Sequence, residues 1–237
     1  RLLPLAALHD SERFLIERYA IAVTPSLMLT EPQAVTGVDR RVLAAGLSEA
    51  VAGFPALPHV TEELRLLEQL YGATVLLNEA FDPERLQQSM QQGNFGILHI
   101  AAHGHFASQS AASFLMTSQG KLTFKELARM VGRLRFRQQP LELLTLSACE
   151  TAQGDDRAAL GLAGVAIQSG ARSALATLWK VNDAATAMLM QAFYQHLSMP
   201  GMSRARALQQ AQLKLLEMPN YASPVFWAPF LLINNWL

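Results

Sequence analysis

The sequence predicts an α/β fold, a mostly parallel β-sheet covered by helices on both faces, in one domain spanning residues 1–237. Three observations predict it. Short apolar runs alternate with longer segments of helical periodicity, the strand–helix–strand rhythm of a parallel sheet. Two of the runs, residues 97–104 and 143–150, read as buried strands that end on chemistry-bearing residues. Finally, 51% apolar content over 237 residues is enough to bury one large core.

Each element has a local reason. Residues 19–23 read as a first strand, closed by Thr24-Pro25-Ser26, and residues 42–47 as a second. Gly53-Phe54-Pro55-Ala56-Leu57-Pro58 must be loop, because each proline removes a donor and fixes φ. Thr61 is placed as the cap of a helix over residues 62–72, with Leu64, Leu67 and Leu70 at helical spacing and Gly72 as its stop. A strand over 73–77 and a helix over 83–92 lead into the histidine strand. A helix over 123–131 leads into the cysteine strand. Beyond it come a small-residue helix over 160–169, a strand over 173–179, an amphipathic helix over 184–199, a helix capped by Ser203 running to 218, and a last strand over 230–233. Arg133, Arg135 and Arg137 alternate with Leu134 and Phe136, as on the charged face of an edge strand. Met188, Met190, Met199 and Met202 are read as core filler on helices.

Composition excludes several function classes. Nineteen basic and nineteen acidic residues cancel, so no global field draws the chain to nucleic acid or an anionic membrane. No apolar stretch approaches the roughly 20 residues needed to span a bilayer. The single cysteine cannot form an internal disulfide, which fits a reducing, cytoplasmic setting. The chain begins on Arg1, already in an apolar stretch and without a signal-peptide pattern, so it reads as a fragment of a longer protein.

The candidate chemistry lies at the two strand exits. Ile97-Leu98-His99-Ile100-Ala101-Ala102-His103-Gly104 ends on a histidine, and Leu143-Leu144-Thr145-Leu146-Ser147-Ala148-Cys149-Glu150 ends on the lone thiol. In an open parallel sheet ligands gather beyond the carboxyl ends of the strands, where residues from neighbouring strands converge. A thiol with a pKa near 8.5 is only a few per cent thiolate at neutral pH, and an imidazole beside it takes the proton during attack. Gly104, lacking Cβ, lets its N–H approach a substrate carbonyl; with the N–H of Cys149 it can hold an oxyanion. Cys149 is followed by a loop, with no helix dipole to acidify it, so its reactivity must come mainly from His103 and from the substrate's arrival.

At these residues the sequence resembles a known family. His99-Ile100-Ala101-Ala102-His103-Gly104, Leu146-Ser147-Ala148-Cys149-Glu150-Thr151, Gly170-Ala171-Arg172-Ser173 and Leu178-Trp179-Lys180-Val181-Asn182-Asp183 look like the motif series of CHAT domains. These are caspase-like peptidase domains commonly fused to TPR repeats, distant relatives of caspases, metacaspases and separase. The similarity continues through Phe193-Tyr194, Ala207-Leu208 and Phe226-Trp227-Ala228-Pro229-Phe230, and Leu3-Pro4-Leu5-Ala6-Ala7-Leu8 fits without the strand that normally precedes it. In caspases the histidine also precedes its cysteine, by about 50 residues. The resemblance implies a caspase-like sheet and a clan CD cysteine endopeptidase. Cys149 is then the nucleophile, His103 the general base and acid, and Gly104 an oxyanion donor, with no metal or organic cofactor. It also implies a protein substrate and a TPR or other regulatory module in the same or a partner protein.

The remaining candidates concern specificity. Asp183 is either the floor of a pocket for a basic substrate residue, by resemblance to separase-like relatives, or, with Asn182, the cap of the helix that follows. Trp179 walls that pocket or packs the core, and His105 touches substrate or is a loop residue. His99 is read as a buried, hydrogen-bonded histidine. Gly154-Asp155-Asp156-Arg157-Ala158 is an acidic loop where caspase relatives carry a processing site. Two other readings compete: a catalytically silent protein-binding module, and a small-molecule thiol hydrolase, which needs a small closed pocket.

Overall fold

The computed structural model describes residues 3–24, 41–106, 113–134, 140–147, 150–151 and 170–237. Their strands fall into two sheets. The main one contains β1 (Val42–Gly46), β2 (Thr74–Leu77), β3 (Ile97–Ala101), β7 (Leu143–Ser147), β9 (Ser173–Thr177) and β10 (Phe230–Asn234), and its order is β10-β9-β7-β3-β1-β2. The first five run parallel, and β10 closes one edge antiparallel to β9. Every residue of β1, β3, β7 and β9 is buried, as parallel strands covered on both faces require. The β10 edge is itself covered: Val23 N–H donates to Leu232 O at 2.8 Å, and Asn234 N–H donates to Val23 O at 2.8 Å.

Around the sheet lie α1 (Leu15–Arg18), α2 (His59–Tyr71), α3 (Pro83–Gln92), α4 (Phe124–Leu134), α5 (Asp183–Leu197), α6 (Arg204–Leu216) and α7 (Pro224–Trp227). Side-chain alternation divides the core in two. Leu43, Leu98, Ile100, Leu144 and Leu146 share one cluster with Leu86 and Met90 of α3 and Leu127 and Val131 of α4. Val42, Ile97, Leu143 and Leu175 face the other way, into a cluster with Leu64 and Leu67 of α2, Leu189 and Phe193 of α5, and Leu208 of α6. Each fully buried leucine or phenylalanine contributes about 1.5–3 kcal/mol before entropy is counted. Gly46 sets how closely α2 approaches: a Cβ there would lie 2.7 Å from Val60 Cγ1 and 3.0 Å from the carbonyl oxygen of Ala101.

The second sheet was not predicted. It comprises β4 (Gly104–Phe106), β5 (Phe114–Thr117), β6 (Gly120–Thr123) and β8 (Glu150–Thr151), in the order β6-β5-β4-β8. Strands of two to four residues leave no readable alternation. Cys149 is consequently followed by the short strand β8 rather than a loop.

Other expectations are corrected. Residues 19–22 are not strand, and only Val23 makes a β-bridge. Pro58, not Thr61, precedes the first residue of α2, because a proline just before the first turn forfeits no helical hydrogen bond. Arg133 lies in helix α4 rather than on a strand, with Arg135 and Arg137 outside the described residues. Met190 is fully buried, but Met199 is 46% exposed, two residues past the end of α5, and fills no core. The helix predicted over 160–169 lies outside the described residues. Among the described residues, no helix is long and apolar enough to cross a membrane.

Candidate active site

β3 and β7 are immediate neighbours, with Ala101 paired to Ser147 at their carboxyl ends. Two residues further along each chain the sequence reaches His103 and Cys149. Cys149 lies outside the described residues. His103 is buried at 4% exposure, and its Nε2 is 2.8 Å from the carbonyl oxygen of Pro55. A carbonyl oxygen only accepts, so Nε2 carries the hydrogen, and the neutral ring keeps its lone pair on Nδ1. Phe54 flanks the imidazole, ring centroids 5.0 Å apart and planes tilted by 34°.

The loop that delivers Phe54 and Pro55 is built to be stiff. Val51 and Phe54 exchange backbone hydrogen bonds (2.8 and 3.2 Å) across Ala52 and Gly53, at φ 48° and 86°. Positive φ at both central residues is the type I′ pattern, the tightest hairpin connection. Leu57 N–H donates to Ser48 O at 2.9 Å and closes the loop. Ser48 in turn donates from N–H and Oγ to Asn78 Oδ1, at 2.8 and 3.0 Å, which anchors it to the exit of β2.

Asp183 sits on the same rim. Asn182 is the cap of α5, its Oδ1 accepting from Ala185 N–H at 3.2 Å, so that role does not fall to Asp183. Asp183 Oδ2 instead accepts from His59 N–H at 3.1 Å, tying the start of α5 to the start of α2. Burial pushes the Asp183 carboxyl above the ordinary carboxylate range. The His59 hydrogen bond and charge oppose this, Glu63 adds to it, and His103 is close enough to oppose it as well. Among the described residues Oδ1 has no partner.

The other candidates are placed as follows. Met116 N–H donates to His103 O at 2.8 Å, which makes the adjoining Gly104–Leu115 pair a non-hydrogen-bonded one. The Gly104 N–H therefore points away from β5, toward the edge along which β8 runs. His105 stacks on Phe114 in the small sheet, centroids 5.4 Å apart. Trp179 is half-buried, its Nε1–H donating to Val225 O at 3.1 Å. His99 is a buried, hydrogen-bonded histidine, as read from the sequence. The 154–158 loop lies outside the described residues. Among those residues no group of three His, Cys, Asp or Glu side chains could hold a metal ion.

Sequence reasoning missed Phe54 and Pro55, and also the hydroxyls of Ser147 and Thr177, which are buried at the carboxyl ends of β7 and β9 with no hydrogen-bond partner among the described residues. The signal for the first pair was available. A two-proline loop leaving β1 must lie on the edge where His103 leaves the neighbouring β3.

Comparison with known proteins agrees with this architecture. The chain is 22% identical, over 99% of its length, to human tetratricopeptide repeat protein 28, and covers 11% of that protein. It thus spans about a tenth of that relative. Two solved structures share the fold with a TM-score of 0.53 each. One is the complex of Porphyromonas gingivalis RgpB pro- and mature domains, at 10% identity over 82% of this chain and 47% of that one. The other is the Arg-specific cysteine proteinase gingipain R, at 12% identity over 82% and 46%. The mostly parallel sheet is therefore the caspase-like α/β fold of these proteinases. The CHAT domain family model matches residues 1–235, and the chain belongs to the CHAT domain family.

Proposed function

We propose that this domain is a cysteine endopeptidase in which His103 and Cys149 form the catalytic dyad. The observation that carries the reading is the His103–Pro55 contact: with Nε2–H donated to a carbonyl, Nδ1 is the nitrogen available to a thiol. The pairing of β3 with β7 supports it, since the two residues follow paired positions of adjacent strands.

The reaction follows. Nδ1 takes the Cys149 proton as the sulfur attacks the substrate carbonyl, and the N–H groups of Gly104 and Cys149 hold the oxyanion. The imidazolium then protonates the leaving amine. Water, deprotonated by the same nitrogen, releases the acyl group. The Pro55 oxygen stabilises the imidazolium through its Nε2–H throughout. A reducing, cytoplasmic setting keeps the thiol available.

Cleavage after a basic residue fits Asp183. A carboxyl raised by burial, with one oxygen committed to His59 N–H, regains its charged form beside a guanidinium. Trp179 and His105 are assigned to the substrate channel. A TPR module, in the same chain or a partner, regulates access.

The test is turnover of peptides carrying arginine, lysine or alanine before the scissile bond, by wild type, His103→Ala, Cys149→Ala and Asp183→Asn. Turnover confined to wild type and Asp183→Asn, with Asp183→Asn losing the arginine preference, supports the reading. If the three peptides turn over equally in wild type, the pocket assignment fails. If an arginyl acyloxymethyl ketone leaves Cys149 unmodified in the presence of the regulatory module, the silent binding module replaces the peptidase.

A further inference from the structure

Behind His103, four elements are stitched together by side chains that the dyad does not use. On the α2 face of the sheet, His99 of β3 is fully buried between Tyr194 of α5 and Glu63 of α2. Its Nδ1 lies 3.0 Å from the Tyr194 hydroxyl and its Nε2 3.0 Å from Glu63 Oε1. The Tyr194 hydroxyl donates to Thr145 Oγ1 of β7 at 2.8 Å, and Tyr71, the last residue of α2, donates to the Tyr194 carbonyl at 2.9 Å.

The His99–Glu63 contact is close in distance but not aligned as a hydrogen bond. Burial gives it weight nonetheless. With the side chains 0% and 3% exposed, water cannot replace either partner, and separating them strands a polar group in the interior.

Its position in the chain links it to the site. Glu63 lies one turn into α2, whose first residue, His59, is tied to Asp183 and whose lead-in loop carries Pro55. His99 lies inside β3, four residues before His103, which follows two residues after the strand's end. The contact thus fastens together, just behind the site, the two segments that bring Pro55 and His103 into contact.

We propose that the Glu63–His99 pair, backed by Tyr194, is a positioning device for His103. It holds α2 against β3 at the depth where the Pro55 oxygen meets Nε2, and so selects the tautomer with Nδ1 bare. The geometric claim stands alone, whereas its catalytic consequence rests on the peptidase reading.

Two measurements on the whole domain test it: the ¹⁵N tautomer signature of His103, and the pH dependence of Cys149 alkylation by iodoacetamide. Glu63→Gln, which can donate or accept, is expected to keep both like wild type. Glu63→Ala is expected to mix the His103 tautomers and to slow alkylation at pH 6.5 about tenfold, toward an unassisted thiol. Should Glu63→Ala fail to fold, Tyr194→Phe removes only the hydroxyl and is read in the same way. A folded Glu63→Ala or Tyr194→Phe with the wild-type tautomer overturns the proposal, as does a wild type that is itself tautomer-mixed. If the tautomer responds to Glu63→Ala while wild-type alkylation matches His103→Ala, the dyad fails and the positioning stands.

Discussion

The two ends of the main sheet carry polar clusters of opposite character. At the amino end, Glu142 is answered on every side. Arg204 Nη2 donates to its Oε2 at 2.9 Å, Arg172 Nη1 lies 3.1 Å from Oε1, and Ser173 Oγ donates to its carbonyl at 2.6 Å. Arg204 Nη1 also donates to Leu237 O at 2.6 Å. At the carboxyl end, among the described residues, His103 engages one ring nitrogen, Asp183 engages one carboxylate oxygen, and the buried hydroxyls of Ser147 and Thr177 engage nothing. Buried polar groups in folded proteins are nearly always satisfied, so the exceptions carry information. The closed cluster holds strands in place. The open one retains capacity for something that arrives later.

The comparison can be broken most forcefully at the amino end. Arg204→Ala leaves the Glu142 carboxylate buried against only a half-exposed arginine, and should cost about 3–5 kcal/mol, read as a lowered denaturation midpoint. The double variant Arg204→Met/Glu142→Leu should recover most of that loss. Equal losses in single and double variants would mean the cluster is not held by charge.

At the carboxyl end, Gly46→Ala drives a Cβ into Val60 and should cost about 1–3 kcal/mol as α2 shifts. Peptide turnover should fall further than stability, because the Pro55 loop moves with α2. A variant that loses stability but keeps turnover would detach α2 from the site.

Asp183→Asn should act in the opposite sense. The raised carboxyl binds its proton more tightly in the folded than in the unfolded chain. Its stability penalty is absent below the unfolded value near 3.8, grows as pH rises toward the folded value, and is complete above it. Asparagine keeps an acceptor for His59 N–H and removes the charge. The melting temperature at pH 7 should rise by roughly 1–2 °C, a small effect because the carboxyl is partly solvated, and at pH 3 it should not change. The smallest expected effect is Thr177→Val, neutral to about 1 kcal/mol stabilising, since it deletes a hydroxyl that forms no bond among the described residues. A clear loss in chemical denaturation would show that this hydroxyl is already satisfied.

Much of the fold was legible because parallel strands buried on both faces leave long apolar runs. The runs at 42–47, 97–104, 143–150 and 173–179 each contain a strand of the main sheet. The cap at Ser203 and the stop at Gly72 were equally readable, being local chemistry. The small sheet was not, because pairings such as His105 with Glu150 come from tertiary approach rather than pattern. Within the site, His103 announced itself by residue type and position. The two-proline loop beside it could be placed on the same edge, but the contact itself was not legible, because the interacting atom belongs to the backbone.

That last point has a practical edge. The oxygen facing His103 belongs to a peptide group, and no side-chain replacement at position 55 deletes it. Scanning the loop with alanine would return a quiet profile around the ring's own partner, inviting the conclusion that the histidine acts alone. Replacing the following amide with an ester, which weakens the carbonyl as an acceptor without altering the loop's course, would expose what genetics overlooks.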